Sequence, residues 1–264
     1  MKSGSVKTLD EIKLIGRGGR LLSRVLGKVV SRVAPGVSTA DLDDLAEKEI
    51  LKAGGRPAFK GYRIAGVKAA YNSTVCTSVN DEVVHGLAHP GRVLKEGDII
   101  GLDIGMQYPA NGGLFTDMAM TVAVGKASEQ TLRLMRVTRE CLERAINVVH
   151  AGAMLSEIGS AVQAHAESNG YGVVRDLVGH GVGYDVHEEP RVPNYVDTNT
   201  PDIVLKKGMV LAIEPMVNAG AWQVTTLPDG WTVKTADGSL SAHFENTIAV
   251  TADGCEILTP FPSL

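Results

Sequence analysis

Residues 93–103 read Val93-Leu94-Lys95-Glu96-Gly97-Asp98-Ile99-Ile100-Gly101-Leu102-Asp103, and residues 204–214 read Val204-Leu205-Lys206-Lys207-Gly208-Met209-Val210-Leu211-Ala212-Ile213-Glu214. In both stretches a glycine leads into a short apolar run that ends on a carboxylate. Such a run is typical of a buried β-strand. Because the same pattern occurs twice, we predict that the chain is built from two related halves.

The repeat extends beyond these strands. Each half carries an apolar stripe with helical spacing before a glycine, at Leu26, Val29, Val33 and Gly36 in the first half and at Leu142, Ala145, Val149 and Gly152 in the second. A second carboxylate follows each strand, as Asp117 and as Glu245. We therefore predict two pseudo-symmetric halves, residues 8–125 and 128–258, within a single domain over residues 1–264.

Each half is predicted to contain two helices and several strands. Thr8 with Glu11, and Ser38 with Asp41, match the capping-box pattern of a helix start. The second half repeats the pair over residues 128–150 and 156–169. Strands are predicted near residues 75–85, 98–104, 116–124, 208–214, 223–226 and 242–250. These elements predict an α+β fold whose helices cover one face of a sheet.

The composition narrows the class of protein. Lys and Arg number 26 against 30 Asp and Glu, a net charge of −4, which argues against a nucleic-acid substrate. The three cysteines are far apart, so a disulfide framework or a cysteine zinc site is not expected. The sequence shows neither a signal-peptide pattern nor a membrane-spanning run. We expect a cytoplasmic protein that does not act on membranes.

The repeated carboxylates indicate a metal site. A buried carboxylate needs a cation to offset its lost hydration, and metal ions would satisfy Asp103, Asp117, Glu214 and Glu245 together. Four carboxylates with one imidazole suit two divalent ions. His180 is the best imidazole candidate because glycines flank it on both sides. The alternative is that each carboxylate lies at the solvated end of its strand and has only a structural role.

Two further histidines occupy matching positions. His85 follows Val84 and His187 follows Val186, each near a loop. A single histidine is often only structural, whereas this pair favours contacts with a substrate or with the reacting atoms. The Gly16–Gly19 segment lacks the lysine of a phosphate-binding loop and indicates close helix packing instead.

Taken in order, these motifs resemble the type I methionine aminopeptidases over nearly the whole chain. The motifs are Asn80-Asp81-Glu82-Val83-Val84-His85-Gly86, Leu102-Asp103-Ile104-Gly105, Gly179-His180-Gly181-Val182-Gly183, His187-Glu188-Glu189-Pro190, Ile213-Glu214-Pro215-Met216, Asp229-Gly230-Trp231-Thr232-Val233 and Phe244-Glu245-Asn246-Thr247. The resemblance implies the pita-bread fold, in which helices cover a curved antiparallel sheet shared by two pseudo-symmetric halves. It also implies metal-dependent removal of an N-terminal methionine that precedes a small second residue.

The resemblance assigns roles to individual residues. The metal ligands would be Asp103, Asp117, His180, Glu214 and Glu245, holding two divalent ions whose identity among Co, Mn, Fe and Zn stays open. Glu214 would also be the general base, while His85 and His187 would contact the substrate and act in catalysis. Tyr62, Tyr71, Cys76 and Trp231 look like the lining of the methionine pocket. The partners would be the N-termini of nascent proteins or peptides, with the ribosome a further candidate, and a monomer is expected.

The sequence departs from the family pattern in three places. The Tyr62–Cys76 and Asp103–Asp117 intervals are longer, and Val186 replaces a frequent aromatic residue, which leaves the pocket rim and the place of Tyr71 open. One alternative is a hydrolase of the aminopeptidase P or prolidase type, which usually carries an extra N-terminal domain. The other is a metal-free binding protein on the same fold.

Overall fold

The structure, a computed structural model, describes residues 6–199 and 202–263. The helices are α1 (Leu9–Val30), α2 (Thr39–Lys52), α3 (Glu129–Asn147) and α4 (Leu155–Ser168). The strands are β1 (Arg56–Pro57), β2 (Val75–Val79), β3 (Glu82–Val84), β4 (Ile99–Tyr108), β5 (Leu114–Ala123), β6 (Gly172–Val173), β7 (Gly179–Gly181), β8 (Glu188–Val192), β9 (Val210–Ile213), β10 (Met216–Asn218), β11 (Val224–Thr226), β12 (Val233–Thr235), β13 (Ser241–His243), β14 (Glu245–Val250) and β15 (Cys255–Ile257). Within the described ranges, no helix is long and apolar enough to cross a membrane.

The predicted capping boxes of the first half are present. The Thr8 hydroxyl accepts the backbone N–H of Glu11, whose carboxylate accepts the N–H of Thr8, and Ser38 and Asp41 do the same at α2. The predicted start of α4 at Ser156 is wrong. This helix begins one residue earlier, at Leu155. Met154 is its N-cap, because the Met154 backbone N–H donates to the Glu157 carboxylate in the first turn.

A nine-stranded antiparallel sheet joins both halves of the chain. Its order is β1-β4-β5-β14-β9-β7-β8, with β2 also paired to β4 and β15 to β14. Two three-stranded sheets, β13-β10-β6 and β11-β12-β3, flank it. The carboxylate strands of the first half, β4 and β5, therefore lie directly beside β14 and β9 of the second half.

The two faces of the large sheet have different environments. Successive side chains of a strand point to opposite faces. On β4, Leu102 and Ile104 lie in the main hydrophobic core with residues of all four helices, and Asp103 between them lies on the other face. On β9, Leu211 and Ile213 belong to the same core while Ala212 does not. The helices thus cover one face and leave the other for the carboxylates.

Helix α1 packs closely because it contains glycines. A Cβ on Gly19 would lie 2.2 Å from the carbonyl oxygen of Leu258, and one on Gly18 would lie 3.2 Å from Cβ of Tyr108. The predicted role of the Gly16–Gly19 segment in helix packing is therefore confirmed.

Two predicted strands are interrupted. The predicted strand 242–250 breaks at the buried Phe244, where the chain leaves its pairing with β10 as β13 and pairs with β5 and β9 as β14. The predicted strand 75–85 consists of β2 and β3, which are separated by a turn at Asn80 with a φ of 60°. Strand β4 continues to Tyr108, beyond the predicted end at residue 104.

Candidate metal centre

A cavity of about 340 Å³ lies on the sheet face opposite the helices. The side chains that the sequence analysis selected converge on it, although they come from separate strands and loops. They are Tyr62, Tyr71, Cys76, His85, Asp103, Asp117, His180, His187, Glu214, Trp231 and Glu245.

Strand register brings three carboxylates together. Asp103 on β4 and Glu245 on β14 both pair with Ala119 of β5, one from each side. Asp117 lies two residues before Ala119 on the same strand, so its side chain points to the same face. Three carboxylates that are distant in the sequence therefore meet around one point of the sheet.

The side chain of Thr247 on β14 binds the backbone of Asp117 on β5. Its hydroxyl accepts the backbone N–H of Asp117 at 3.1 Å and donates to the carbonyl of Asp117 at 2.7 Å. The backbone N–H of Thr247 in turn donates to the Thr259 hydroxyl at 2.8 Å. The sequence analysis gave this threonine no role, although it follows Glu245 by two residues and so shares its face.

Glu214 and His180 approach from neighbouring strands. His180 on β7 pairs with Ala212 of β9, two residues before Glu214. The imidazole Nε2 of His180 lies 3.4 Å from Oε1 of Glu214, and Nε2 of His243 lies 3.6 Å from its Oε2. The buried amide of Asn194 donates to the Glu214 carbonyl at 3.0 Å and holds the backbone there.

The ring of His180 is oriented to bind a cation. Its Nδ1 lies 2.9 Å from the Gly181 carbonyl, which can only accept, so Nδ1 donates. Burial, with a smaller effect of His187, lowers the pKa of His180 to about 3 and keeps the ring neutral. Nε2 therefore presents its lone pair to the cavity, as in metal-binding histidines whose other nitrogen donates to a carbonyl.

The donor set fits a metal ion. Three possible ligand atoms, one each from Asp117, His180 and Glu245, lie within 4.8 Å of one another. One oxygen of each of Asp103, Asp117 and Glu245 is buried and has no hydrogen-bond partner. Buried polar atoms normally have partners, so these oxygens are available to a bound cation.

The charges of the carboxylates lead to the same conclusion. Burial raises the pKa of Asp103 to about 7, with a further contribution from the charge of Glu214. Burial also raises the pKa values of Asp117, Glu214 and Glu245 well above the ordinary range, with added repulsion from neighbouring carboxylates. A bound cation would offset the burial and the repulsion, so these residues fit metal binding.

His85 and His187 form the wall beside the carboxylates. His85 has a φ of 59°, which is unusual for a residue with a side chain and indicates that the surrounding structure holds it in place. Burial lowers the pKa of His85 to about 4. The ring of His187 lies 4.4 Å from that of His180, and its Nδ1 lies 2.9 Å from the Tyr62 hydroxyl.

The same cavity contains an apolar recess, which is lined by Tyr71, Cys76 and Trp231. The rings of Tyr71 and Trp231 meet edge to face at 5.3 Å, and the Tyr71 hydroxyl donates to the Gly86 carbonyl. Cys76 is buried and pairs with Asp103 across β2 and β4. Burial raises the pKa of the Cys76 thiol well above its ordinary value, so the thiol stays neutral. Tyr71, whose place was open, therefore lines the recess.

The sequence analysis missed some residues of the cavity lining. Ile64, Arg191 and Met216 also line the cavity. Met216 lies in the quoted motif after Glu214, which was a usable signal. Ile64 and Arg191 lie in a loop and on strand β8, where a sequence pattern does not reveal which surface a side chain faces.

Comparison with known proteins gives the family. Residues 13–252 match the family model described as Metallopeptidase family M24. A protein of Bacillus subtilis named Methionine aminopeptidase 1 is 45% identical over 254 residues, covering 96% of this chain and 98% of that protein. The Methionine aminopeptidase of Escherichia coli is 42% identical over 256 residues, covering 97% and 93%.

Solved structures agree with these relatives. The crystal structure of a methionine aminopeptidase from Thermotoga maritima has a TM-score of 0.89 at 44% identity and covers 97% of this chain and 98% of that one. The prolidase from Pyrococcus furiosus has a TM-score of 0.74 at 23% identity and covers 98% of this chain but 66% of that one, a similarity of fold alone. The predicted pita-bread fold is confirmed. The chain belongs to metallopeptidase family M24 and, within that family, to the methionine aminopeptidases.

Proposed function

We propose that this enzyme removes the N-terminal methionine from proteins and peptides whose second residue is small. The observation that carries the proposal is the cavity itself, in which two buried and two half-buried carboxylates and a neutral imidazole adjoin apolar side chains. Such a cavity combines a site for divalent ions with space for an unbranched apolar side chain. The relatives at 42–45% identity are named methionine aminopeptidases, which supports the same activity.

We propose that Asp103, Asp117, His180, Glu214 and Glu245 hold two divalent ions. When bound, such ions polarise a peptide carbonyl and lower the pKa of water. Four carboxylates around the cavity suit two ions better than one, since two dications balance four negative charges. The identity of the ions among Co, Mn, Fe and Zn is not determined by this donor set.

The residues around the ions have separate tasks in the proposed reaction. The Glu214 carboxylate lies between two imidazoles and takes the proton of the attacking water. His187 lies at the open side of the cavity, where it contacts the oxygen of the cleaved peptide group. His85 contacts the substrate next to the scissile bond, and its low pKa keeps it neutral at pH 7.

The recess accounts for the proposed specificity. Tyr62, Tyr71, Cys76 and Trp231 present apolar and polarisable surface, which suits the flexible thioether of methionine. The second residue would then lie between His85 and His187, where we expect little space. A small side chain fits there and a lysine side chain does not.

We further propose that residues 1–264 act as a single catalytic domain whose two repeats, residues 8–125 and 128–258, each supply two carboxylates. The substrates would be free N-termini, because the ions would bind the terminal amine. We also predict a monomer, a cytoplasmic location and a contact with the ribosome. Sedimentation of the protein with and without ribosomes tests the contact.

Cleavage of paired peptides tests the proposed function. The protein is stripped with a chelator, reloaded separately with Mn, Fe, Co or Zn, and given Met-Ala-Ser or Met-Lys-Ser. We expect no cleavage without metal and a kcat/KM for Met-Ala-Ser at least about 100-fold above that for Met-Lys-Ser. Glu214→Gln, which removes the proposed base and a ligand, is the inactive control. Full activity in a verified metal-free sample, or equal rates on both peptides, would refute the proposal.

Recombinant protein translated from this sequence, which starts with Met1 and Lys2, offers a second test. Met1 and Lys2 lie outside the described residues, and the sequence Met-Lys predicts that Met1 is retained. Lys2→Ala should make Met1 removable when the protein is made in its active form. Intact-mass measurement of both proteins reads the result directly.

A further inference from the structure

An eight-residue loop, residues 63–70, lies at the mouth of the cavity. Main-chain hydrogen bonds close it at its base, where the N–H of Tyr71 donates to the Tyr62 carbonyl at 2.8 Å and the N–H of Gly61 donates to the Tyr71 carbonyl at 2.8 Å. Both tyrosines line the cavity. The loop therefore begins and ends inside the proposed binding site.

The loop is attached to the methionine recess at two points. The indole N–H of Trp231 donates to the Ala69 carbonyl at 3.1 Å. Val67 packs over Gly230, where an added Cβ would come within 3.1 Å of the valine Cγ1. The loop thus rests on the turn that carries Trp231, and these contacts fix its position relative to the cavity.

The tip of the loop turns one apolar side chain toward the cavity mouth. Ile64 and Val67 are the first and last residues of a turn in which the Val67 N–H faces the Ile64 carbonyl at 3.4 Å. Gly66 takes the positive φ of 89° that such a turn requires. Val67 is directed onto Gly230, whereas Ile64 lines the cavity and remains 43% exposed.

We propose that this loop is a specificity-determining wall, and that Ile64 contacts the third residue of the substrate and favours an apolar side chain there. The inference rests on the proposed function. The first residue of a bound peptide would fill the recess and the second would lie between His85 and His187, so the third emerges at the mouth. An apolar neighbour that covers an exposed isoleucine at that place removes apolar surface from water, which lowers the free energy of the complex.

A comparison of two peptides, one variant and one control variant tests whether the loop selects the third residue of the substrate. The peptides Met-Ala-Leu and Met-Ala-Ser are cleaved by the metal-loaded enzyme, by Ile64→Ser and by Ile257→Ser. Ile257 lies on β15 away from the cavity and is 42% exposed, so it matches Ile64 in side chain and exposure.

The unchanged enzyme should cleave Met-Ala-Leu with a kcat/KM about three- to tenfold above that of Met-Ala-Ser. Ile64→Ser should bring this ratio close to one, and Ile257→Ser should leave it as it was. The inference would be overturned if the unchanged enzyme cleaved both peptides with the same kcat/KM, or if Ile64→Ser kept the preference for Met-Ala-Leu. In either case the cleavage itself would still support the proposed function. If the metal-loaded enzyme cleaves neither peptide, the proposed function and this inference both fail.

Discussion

The floor and the rim of the cavity are built in different ways. The floor comprises Asp103, Asp117, His180, Glu214 and Glu245, and the rim comprises residues 62–71 with His187. Adjacent strands of one sheet position the floor, so that Asp103 and Glu245 meet opposite the same residue of β5. The rim is held by single hydrogen bonds between loops, such as Tyr62 to His187 and Trp231 to Ala69.

This difference separates two properties of the enzyme. Strand register is strongly specified when one face of a sheet is buried, since a one-residue slip would turn every side chain to the wrong face. We therefore expect the floor to set the metal-dependent chemistry that we propose. Loops accept insertions readily, so the rim can change in length and side chains without disturbing the floor. We expect floor variants to alter metal content and rim variants to alter rate or selectivity.

Histidine substitutions give the largest expected contrast. His180→Ala removes a proposed ligand of the floor and should lower the metal content and abolish cleavage. His85→Ala and His187→Ala should keep the metal but slow turnover by roughly 10²- to 10⁴-fold. Metal analysis of the purified proteins alongside rates on Met-Ala-Ser measures both effects. His150→Ala, an exposed position outside the cavity, is the control, and equal metal loss in all the cavity variants would contradict the assignment of roles.

The stability of the metal-free chain should depend on pH through the floor. Because burial raises the carboxylate pKa values, the folded state holds protons that the unfolded state has released above about pH 4. The carboxylate contribution to stability is therefore greatest below the unfolded pKa and is lost as pH rises through the folded pKa, which is about 7 for Asp103. The buried neutral rings of His85, His180 and His243 act in the opposite direction and lower stability below about pH 6. We expect the chelator-treated protein to melt a few °C lower at pH 8 than at about pH 6.5, a range over most of which the histidines are neutral in both the folded and the unfolded state.

Added Mn should remove most of this difference in melting temperature at pH 8, because the cation replaces the protons. Thermal unfolding followed by circular dichroism at both pH values, with and without Mn, provides the measurement. A metal-free protein that melts higher at pH 8 would show that the carboxylates of the floor are not held as described.

Removing one hydroxyl of the rim should have a smaller effect. Tyr62→Phe deletes the partner of His187 Nδ1 and leaves the ring in place. Since one hydrogen bond contributes about 1 kcal/mol, kcat should fall about three- to tenfold with unchanged metal content. Tyr184→Phe is the matched control, because the Tyr184 hydroxyl binds Glu11 rather than a cavity residue. A loss of metal in Tyr62→Phe would place this tyrosine in the floor rather than the rim.

Local sequence patterns predicted the floor in detail. The repeated apolar runs that end on Asp103 and Glu214 indicated buried strands with unneutralised charge, and that combination requires a cation wherever the strands lie. The capping boxes at Thr8 and Ser38 predicted the helix starts for an equally local reason, since their hydrogen bonds join residues three apart.

Only the tertiary structure decided how separate segments meet. The break at Phe244 depends on which sheets are available to pair with its neighbours, and Thr247 supports Asp117 from a strand 130 residues away in the chain. The position of Ile64 at the cavity mouth depends on Val67 resting on Gly230, a contact between loops that no local pattern encodes. The sequence by itself therefore determined the fold class and the chemical groups of the floor, because buried strands and charges obey local rules. The shape of the rim followed only from packing between distant segments.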